Sequence, residues 1–208
     1  MKLQTAIDRI PIEKAVSLAA SLNGKTDILE IGTSLVKDYG TAAIEKIREV
    51  LPDSELLVDI KTMDEGAYEF EQGFRYGGEI LTVMGAASYD TLAACYEVAQ
   101  KNKKTMMIDL LEVANEKISQ ILDFDQAIFC LHHSIDRKDK SDAVVSVAEF
   151  HKKFPQVKRI AIAGGIDLDA AEGLARQGQT EIVIVGSKIT KSNDPALMVK
   201  KFMEVINQ

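Results

Sequence analysis

Three charged residues, Asp59, Lys61 and Asp64, follow one another closely at the end of the apolar run 56–58. Alternate residues of an extended strand project to the same face, so Asp59 and Lys61 are expected side by side, with Asp64 close behind if the strand ends there. A carboxylate beside an ammonium group can bind a cation or stabilise negative charge on a substrate. The structural alternative is a solvated strand end.

Glu30 ends an earlier apolar run and, with Asp59, offers two hard oxygen ligands. Two carboxylates completed by waters and substrate oxygens are a common arrangement around Mg²⁺, which we therefore expect as a cofactor held by this pair. In the alternative interpretation, either acid only forms an ion pair with Lys61. Asp8 could accept a hydrogen bond from Lys61 or from a substrate hydroxyl, or it could cap the turn that follows it.

Asp109 and His132 end two later apolar runs. His132 is followed directly by His133, so one imidazole should point into the protein and the other outward. A lone histidine at a strand end is often structural, but imidazole transfers protons readily near neutral pH. Surrounded by acids and a lysine, His132 is the expected proton carrier.

Two further runs end in small residues, Gly164-Gly165 and Gly186-Ser187. Small residues allow backbone amides to approach an oxyanion closely, and helical segments are expected to follow both loops. Each glycine alone could serve only a tight turn. Together, at the strand positions that barrels use for phosphate, the four residues predict a phosphate-binding site.

The elements that must position these residues are short apolar runs separated by helix-like segments. The runs are continuous rather than alternating, which is typical of parallel strands buried on both faces. The eight predicted strands are Leu3–Ile7, Asp27–Ile31, Leu56–Ile60, Ile80–Met84, Thr105–Leu110, Ala127–Leu131, Arg159–Ala163 and Ile182–Val185. Segments such as 42–50 and 143–150 have helical spacing between them.

Eight such units predict a single-domain (β/α)8 barrel over residues 1–208, near the lower size limit of that fold. The alternative, an open doubly wound sheet, lacks the glycine-rich fingerprint of its dinucleotide-binding form. In a barrel the carboxyl ends of all strands share one rim. Nearly every strand except the fourth ends there in a chemically useful residue.

Composition restricts the partners. Of the 208 residues, 46% are hydrophobic and 27% are charged, which suits one domain with a sizeable core. The net charge of −7 and pI near 5.1 argue against nucleic acid and anionic membranes. The amino-terminal residues contain no signal-like apolar stretch, so we expect a cytoplasmic protein with a small-molecule partner. Cys95 and Cys130 are expected to be reduced core residues.

Four features taken together make the chain resemble the orotidine 5′-monophosphate decarboxylase suprafamily. They are Glu30, the Asp-x-Lys-x-x-Asp pattern of Asp59–Asp64, Ala-Gly-Gly-Ile at 163–166 and Val-Gly-Ser-x-Ile-Thr at 185–190. Within it, the chain is most similar to the 3-hexulose-6-phosphate synthase family. The similar segments are 2–8, 27–33, 59–64, and 185–190 with Asp194-Pro195. The resemblance spans essentially the whole chain. Its combined spacing is specific, while each motif alone occurs throughout the suprafamily.

The resemblance implies a homodimeric barrel that adds formaldehyde to D-ribulose 5-phosphate through a Mg²⁺-stabilised enediolate. By matching positions, Glu30 and Asp59 would bind the metal, Lys61 would stabilise the enediolate oxygen, and His132 would move the proton. Asp64 would reach into the partner subunit's site. Asp8 and Asp109 complete the implied catalytic group.

Three other functions are alternatives to this one. Orotidine monophosphate decarboxylase carries lysine where this chain has Glu30. The 3-keto-L-gulonate 6-phosphate decarboxylases share the metal site but differ at the positions of Asp109, Ile135 and Ser187, although the His-His-Ser stretch that begins at His132 partly resembles them. A sugar-phosphate-binding protein without catalysis is the non-enzymatic alternative.

Overall fold

In the computed structural model, which describes residues 1–134 and 142–208, eight parallel strands close into a barrel. Each strand pairs with its neighbour in the chain, and β1 closes the sheet against β8. The strands are β1 Lys2–Ile7, β2 Ile28–Ile31, β3 Glu55–Thr62, β4 Ile80–Met84, β5 Thr105–Asp109, β6 Ile128–His132, β7 Ile160–Ala163 and β8 Ile182–Val185. The predicted (β/α)8 barrel is confirmed, and the open sheet is excluded.

Helices surround the barrel and cover the outer faces of the strands. They are α1 Ile12–Leu22, α2 Thr33–Tyr39, α3 Thr41–Glu49, α4 Gly66–Arg75, α5 Tyr89–Lys101, α6 Asn115–Ile118, α7 Ala143–Lys153, α8 Leu168–Gln177, α9 Ser187–Thr190 and α10 Pro195–Ile206. Ser88, Asp142, Asp167 and Asp194 cap the amino termini of α5, α7, α8 and α10 by accepting backbone N–H hydrogen bonds. These caps fix where each helix begins after its loop.

The core has two parts because strand residues alternate between the barrel interior and the helical layer. The larger cluster lies between strands and helices. The smaller cluster fills the interior with residues such as Ile28, Leu57, Met107 and Ile128. Two positions further along β2, β3 and β5, the interior residues are Glu30, Asp59 and Asp109, and β6 reaches His132 four positions beyond Ile128. A polar layer therefore lies above the apolar interior of the barrel.

Strand bounds differ from prediction where pairing, rather than composition, decides them. The third strand was predicted to end at Ile60 but continues to Thr62, which pairs with Val83. The sixth extends to His132, which pairs with Ala163. The fifth stops at Asp109 rather than Leu110, and the first begins at Lys2. Strands two, six and seven each begin one residue later than predicted.

The pairing of β3 with β4 contains a pronounced irregularity. Val58 pairs with Leu81 and Thr62 with Val83, so Asp59, Ile60 and Lys61 together lie opposite the single residue between Leu81 and Val83. Such a bulge shortens the advance of its strand along the partner. Lys61 has φ 49°, a left-handed conformation that few non-glycine residues adopt. The extended-chain argument placed Asp59 and Lys61 together correctly, but a bulge rather than regular alternation holds them there.

Both cysteines are free and buried, as predicted. Burial raises the pKa of the Cys130 thiol well above its usual range, so this thiol stays protonated beneath the polar layer. Within residues 1–134 and 142–208, the helices are too short or too polar to span a bilayer.

Candidate active site

A cavity of about 560 Å³ opens at the carboxyl end of the barrel. Every predicted site residue lines it except Asp64: the cavity contains Asp8, Glu30, Asp59, Lys61, Asp109, His132, Gly164, Gly165, Gly186 and Ser187. The convergence of strand ends on one rim explains why residues from all parts of the sequence meet there.

Lys61 and His132 both bind one oxygen of Asp109. The Lys61 ammonium nitrogen lies 2.5 Å from Asp109 Oδ2, and His132 Nδ1 lies 2.9 Å from the same oxygen. Burial alone would raise the pKa of Asp109, but the hydrogen bond from His132 and the Lys61 charge outweigh it and lower that pKa to about 2. Asp109 is therefore ionised across the physiological pH range.

The ionised Asp109 determines how His132 is used. A carboxylate only accepts hydrogen bonds, so the Nδ1 atom of His132 carries the proton that bonds to it. In a neutral imidazole the remaining nitrogen, Nε2, is then the proton acceptor. No hydrogen bond from the described residues occupies Nε2, which leaves this atom able to exchange a proton with a molecule in the cavity.

Lys61 also contacts Asp59, with its ammonium nitrogen 3.2 Å from Asp59 Oδ2. Burial lowers the pKa of Lys61, but the charges of Asp59 and Asp109 outweigh burial and raise it above the usual value. The lysine is thus a permanent cation that donates hydrogen bonds. It cannot serve as a base near neutral pH.

Glu30 is a buried acid with a strongly altered ionisation. Its carboxylate accepts a hydrogen bond from Gln4 Nε2 at 2.6 Å. Burial and the neighbouring charge of Asp59 raise the pKa of Glu30 to about 8, and the hydrogen bond from Gln4 offsets this only in part. Two acids that repel each other in a buried cavity are stabilised by a cation between them.

The donor atoms on these two acids fit a hard cation. Within the described chain, Glu30 Oε1 receives no hydrogen bond and Asp59 Oδ1 receives only one, from Thr82. Both oxygens keep acceptor capacity, because each has two lone pairs. No group of three or more His, Cys, Asp or Glu side chains able to hold a metal is found in residues 1–134 and 142–208. Two carboxylates completed by waters and substrate remain suitable for Mg²⁺.

Three uncharged residues that the sequence reasoning missed hold the acids in place. Gln4 orients Glu30, while Thr33 Oγ1 donates to Asp59 Oδ2 at 2.5 Å and Thr82 Oγ1 donates to Asp59 Oδ1 at 2.8 Å. Thr82 interrupts an otherwise apolar strand at an interior position, which was an available signal. Gln4 lies at an interior position of β1, but that strand also contains Lys2 and Thr5, so its signal was weaker. Thr33 follows Gly32 as the first residue of α2 and gave no comparable signal.

Asp8 lies in the cavity but bonds differently from expectation. Its Oδ1 accepts a hydrogen bond from Ser34 Oγ at 2.8 Å, whereas the Lys61 ammonium bonds to Asp109 and Asp59. A side chain at Gly32 would overlap the Asp8 carboxylate. Asp8 therefore presents its carboxyl group to the cavity as a hydrogen-bond acceptor near Glu30.

Asp64 is exposed and does not line the cavity of its own chain. Its Oδ1 accepts a hydrogen bond from the Glu65 backbone N–H at 2.8 Å, at the start of α4. A role for Asp64 in another subunit stays a prediction. Ile135, which was compared with the decarboxylases above, lies outside the described residues.

Glycines and cations also line the cavity. Gly164 has φ 112° and Gly165 has φ 69°, and a Cβ at Gly164 would lie 2.5 Å from the His133 carbonyl oxygen. Arg9, Lys188 and Lys191 line the same cavity. Within residues 1–134 and 142–208, none of these three forms an ion pair. These three side chains are therefore available to bind an anionic group in the cavity.

Comparison with known proteins agrees with this arrangement. The model of the orotidine 5′-phosphate decarboxylase / HUMPS family matches residues 1–202. The chain belongs to that family. A family member from Bacillus subtilis (strain 168), named 3-hexulose-6-phosphate synthase, is 31% identical over 210 residues, with all of both chains covered.

Solved structures of family members have the same fold. The 3-hexulose-6-phosphate synthase from Salmonella typhimurium superposes with a TM-score of 0.91 at 29% identity, covering 100% of this chain and 99% of the other. A structure described as KGPDC from Streptococcus mutans reaches 0.90 at 22% identity, covering 99% of this chain and 97% of the other. Since both branches share the barrel, the fold alone does not distinguish synthase from decarboxylase.

Proposed function

We propose that this protein is a 3-hexulose-6-phosphate synthase, an aldehyde-lyase that joins formaldehyde to D-ribulose 5-phosphate, giving D-arabino-3-hexulose 6-phosphate, and catalyses the reverse reaction. The observation that carries the proposal is the shared Asp109 oxygen, which places a fixed cation, Lys61, beside a proton carrier, His132. The full-length relative from Bacillus subtilis (strain 168) that bears the synthase name supports the same activity.

Lys61 stabilises the negative charge that develops on the sugar oxygens. Removal of a proton from ribulose 5-phosphate gives an enediolate, and a cation already held between Asp59 and Asp109 needs little reorganisation to bind it. The raised pKa of Lys61 keeps the ammonium protonated throughout the cycle. Its role is electrostatic.

His132 moves a proton during carbon–carbon bond formation. Nucleophilic attack of the enediolate carbon on formaldehyde leaves an alkoxide, which needs one proton. With Nδ1 held by Asp109, neutral His132 can accept at Nε2 the proton removed from ribulose 5-phosphate, deliver it to the alkoxide and return to the neutral form. In the cleavage direction the same nitrogen accepts it.

Glu30 and Asp59 would hold Mg²⁺, the proposed cofactor. When bound, this ion supplies Lewis-acid stabilisation of negative charge on substrate oxygens. Gln4, Thr33 and Thr82 keep the two carboxylates oriented toward the cavity. Asp8 is available to accept a hydrogen bond from a sugar hydroxyl.

The phosphate would bind among Gly164, Gly165, Gly186 and Ser187, in a cavity that Arg9, Lys188 and Lys191 also line. Binding energy from this remote group can orient the reacting carbon. Exposed Met63 and Tyr68 lie close to Asp64 in the chain, and exposed apolar groups beside a charged residue suit a homodimer interface. We propose that the protein works in the cytoplasm as such a dimer, with Asp64 in the partner's site.

A direct assay tests the activity. Purified protein is mixed with ribulose 5-phosphate and formaldehyde, with Mg²⁺ or with a chelator, and formaldehyde loss is followed. Metal-dependent loss of formaldehyde with formation of hexulose phosphate is expected. The same protein is given 3-keto-L-gulonate 6-phosphate, and carbon dioxide is measured. Faster carbon dioxide release would favour the decarboxylase, while sugar-phosphate binding without turnover of either substrate would favour a binding protein.

A further inference from the structure

β4 contributes one uncharged residue to the polar layer, Thr82. Its side chain lines the cavity, yet the residue is only 3% exposed. The register of the sheet places Thr82 alone opposite Asp59, Ile60 and Lys61. On the β4 side, it is therefore the one residue opposite the segment that carries the metal-binding acid and the catalytic lysine.

The Thr82 hydroxyl joins two parts of this segment. It accepts a hydrogen bond from the Lys61 backbone N–H at 2.9 Å and donates one to Asp59 Oδ1 at 2.8 Å. A backbone N–H can only donate and a carboxylate can only accept, so both partners fix the direction of the hydroxyl proton. Chains of hydrogen bonds of this kind polarise and strengthen one another in a buried site.

Lys61 needs such support because its backbone is in a costly conformation. Its φ of 49° is in the left-handed region, which is unfavourable for a residue with a side chain. The bulge also removes the regular strand partner of the Lys61 N–H, and a buried unpaired N–H is unfavourable. The Thr82 hydroxyl takes the place of that missing partner.

We propose that Thr82 is a positioning residue for the reaction: its hydroxyl holds the β3 bulge in the form that directs both Lys61 and Asp59 into the cavity. The proposal rests on the proposed function, since it assigns the hydroxyl a catalytic purpose through these two residues. A threonine that only fills space would need its methyl group, whereas a positioning residue needs its oxygen.

Four variants separate these roles. Thr82→Val keeps the volume and removes the hydroxyl, and Thr82→Ala and Thr82→Ser differ from each other only in the oxygen. Thr5→Val is the matched control: Thr5 is a fully buried strand threonine with a hydroxyl contact to Thr26, and it does not line the cavity. Kinetics with ribulose 5-phosphate and formaldehyde are measured for each folded variant, alongside thermal unfolding.

The expected result is a loss in kcat of at least about tenfold for Thr82→Val and Thr82→Ala, with KM changed less than about threefold. Thr82→Ser should retain kcat within about threefold of the native protein, and Thr5→Val should do the same. Equal losses in Thr82→Ser and Thr82→Ala, or native kcat in Thr82→Val, would overturn the proposal. If Thr82→Val does not fold, the serine and alanine variants decide alone.

Crystal structures of Thr82→Ala and Thr82→Ser provide a readout that needs no turnover. Loss of the hydroxyl should lengthen the distance from Lys61 Nζ to Asp59 Oδ2 beyond its native 3.2 Å, and serine should preserve it. An unchanged bulge in the alanine variant would contradict the positioning role. If the native protein lacks synthase activity while the bulge changes as expected, the proposed function fails and the structural dependence on Thr82 stands.

Discussion

The Lys61 ammonium nitrogen lies 2.5 Å from Asp109 Oδ2, although β4 separates the strands that carry the two residues. The contact is possible because both side chains point into the barrel interior at the same rim. It joins two distant parts of the sequence into one buried ion pair. Lys61 is thereby fixed by acids on both sides.

Lys61→Ala should lower kcat by about a hundred to a thousand times, while sugar-phosphate affinity changes much less. The reason is loss of a preorganised donor to the developing negative charge, worth about 3–4 kcal/mol in comparable sites. Steady-state kinetics and calorimetric binding of ribulose 5-phosphate measure the two effects. Lys2→Ala is the control, because Lys2 also forms an ion pair with an acid, Glu55, but does so at the opposite end of the barrel from the cavity. Equal losses of affinity and rate would contradict the assignment.

Mixing two inactive proteins tests whether Asp64 acts in the partner's site. Asp64→Ala and Lys61→Ala should each be strongly impaired as homodimers. A mixed dimer would then contain one site with both residues intact, and activity should return toward about a quarter of native, the value expected for random exchange. Light scattering first establishes the dimer, and labelled subunits establish exchange. Exchange without recovered activity would remove the cross-subunit role.

Gly164 and Gly165 should differ sharply in their tolerance of alanine. A Cβ at Gly164 meets the His133 carbonyl at 2.5 Å with φ 112°, whereas nothing lies within 4 Å of one at Gly165. Gly165→Ala should cost about 1–2 kcal/mol of unfolding free energy, the ordinary penalty of the left-handed region. Gly164→Ala should cost clearly more and weaken phosphate binding. Urea unfolding and phosphate competition compare them, and similar costs for both would be inconsistent with the described loop.

Stabilisation by Mg²⁺ should increase with pH. Folding raises the pKa of Glu30 from 4.5 to about 8, so its contribution to the stability of the metal-free protein is full below 4.5 and is lost as the pH rises through about 8. A metal must displace the Glu30 proton below pH 8, which reduces its affinity by up to tenfold per pH unit. Thermal unfolding with and without Mg²⁺ should show a larger increase in Tm near about pH 9 than near about pH 6.

The variants for this experiment separate Glu30 from general effects of pH. Glu30→Gln should abolish most of the Mg²⁺-dependent increase in Tm at both pH values. Glu55→Gln, which alters an exposed acid at the opposite end of the barrel, should retain it. A Tm increase that is independent of pH in the native protein would show that the Glu30 proton does not compete with the ion.

The sequence predicted those parts of the site that depend on strand ends and residue type. Glu30, Asp109 and His132 each follow an apolar run, and the parallel barrel requires their convergence. The contribution of β4 was missed because its polar residue, Thr82, is uncharged and lies within the strand. Alternation of interior positions, counted from Ile80, would have placed Thr82 in the polar layer.

The bulge and the hydrogen-bond partners of the acids required the structure. The local sequence at Asp59 and Lys61 fits a regular strand equally well, and only pairing with Leu81 and Val83 shows that three residues occupy the space of one. Likewise, Ser34 bonds to Asp8 because the start of α2 lies beside the end of β1 in space, and nothing near Asp8 in the chain indicates it. Such contacts depend on the closed topology rather than on local pattern.

The compressed stretch of β3 limits how this chemistry can be transferred to other scaffolds. Four residue steps, from Val58 to Thr62, cover the distance that two steps cover on β4. A regular strand would carry the lysine about 6.6 Å beyond the aspartate. Transfer of the aspartate and lysine to an ideal barrel therefore requires the β3 bulge and its supporting threonine as well. Without them, the ammonium group would lie too far from the acids to contact the same ligand.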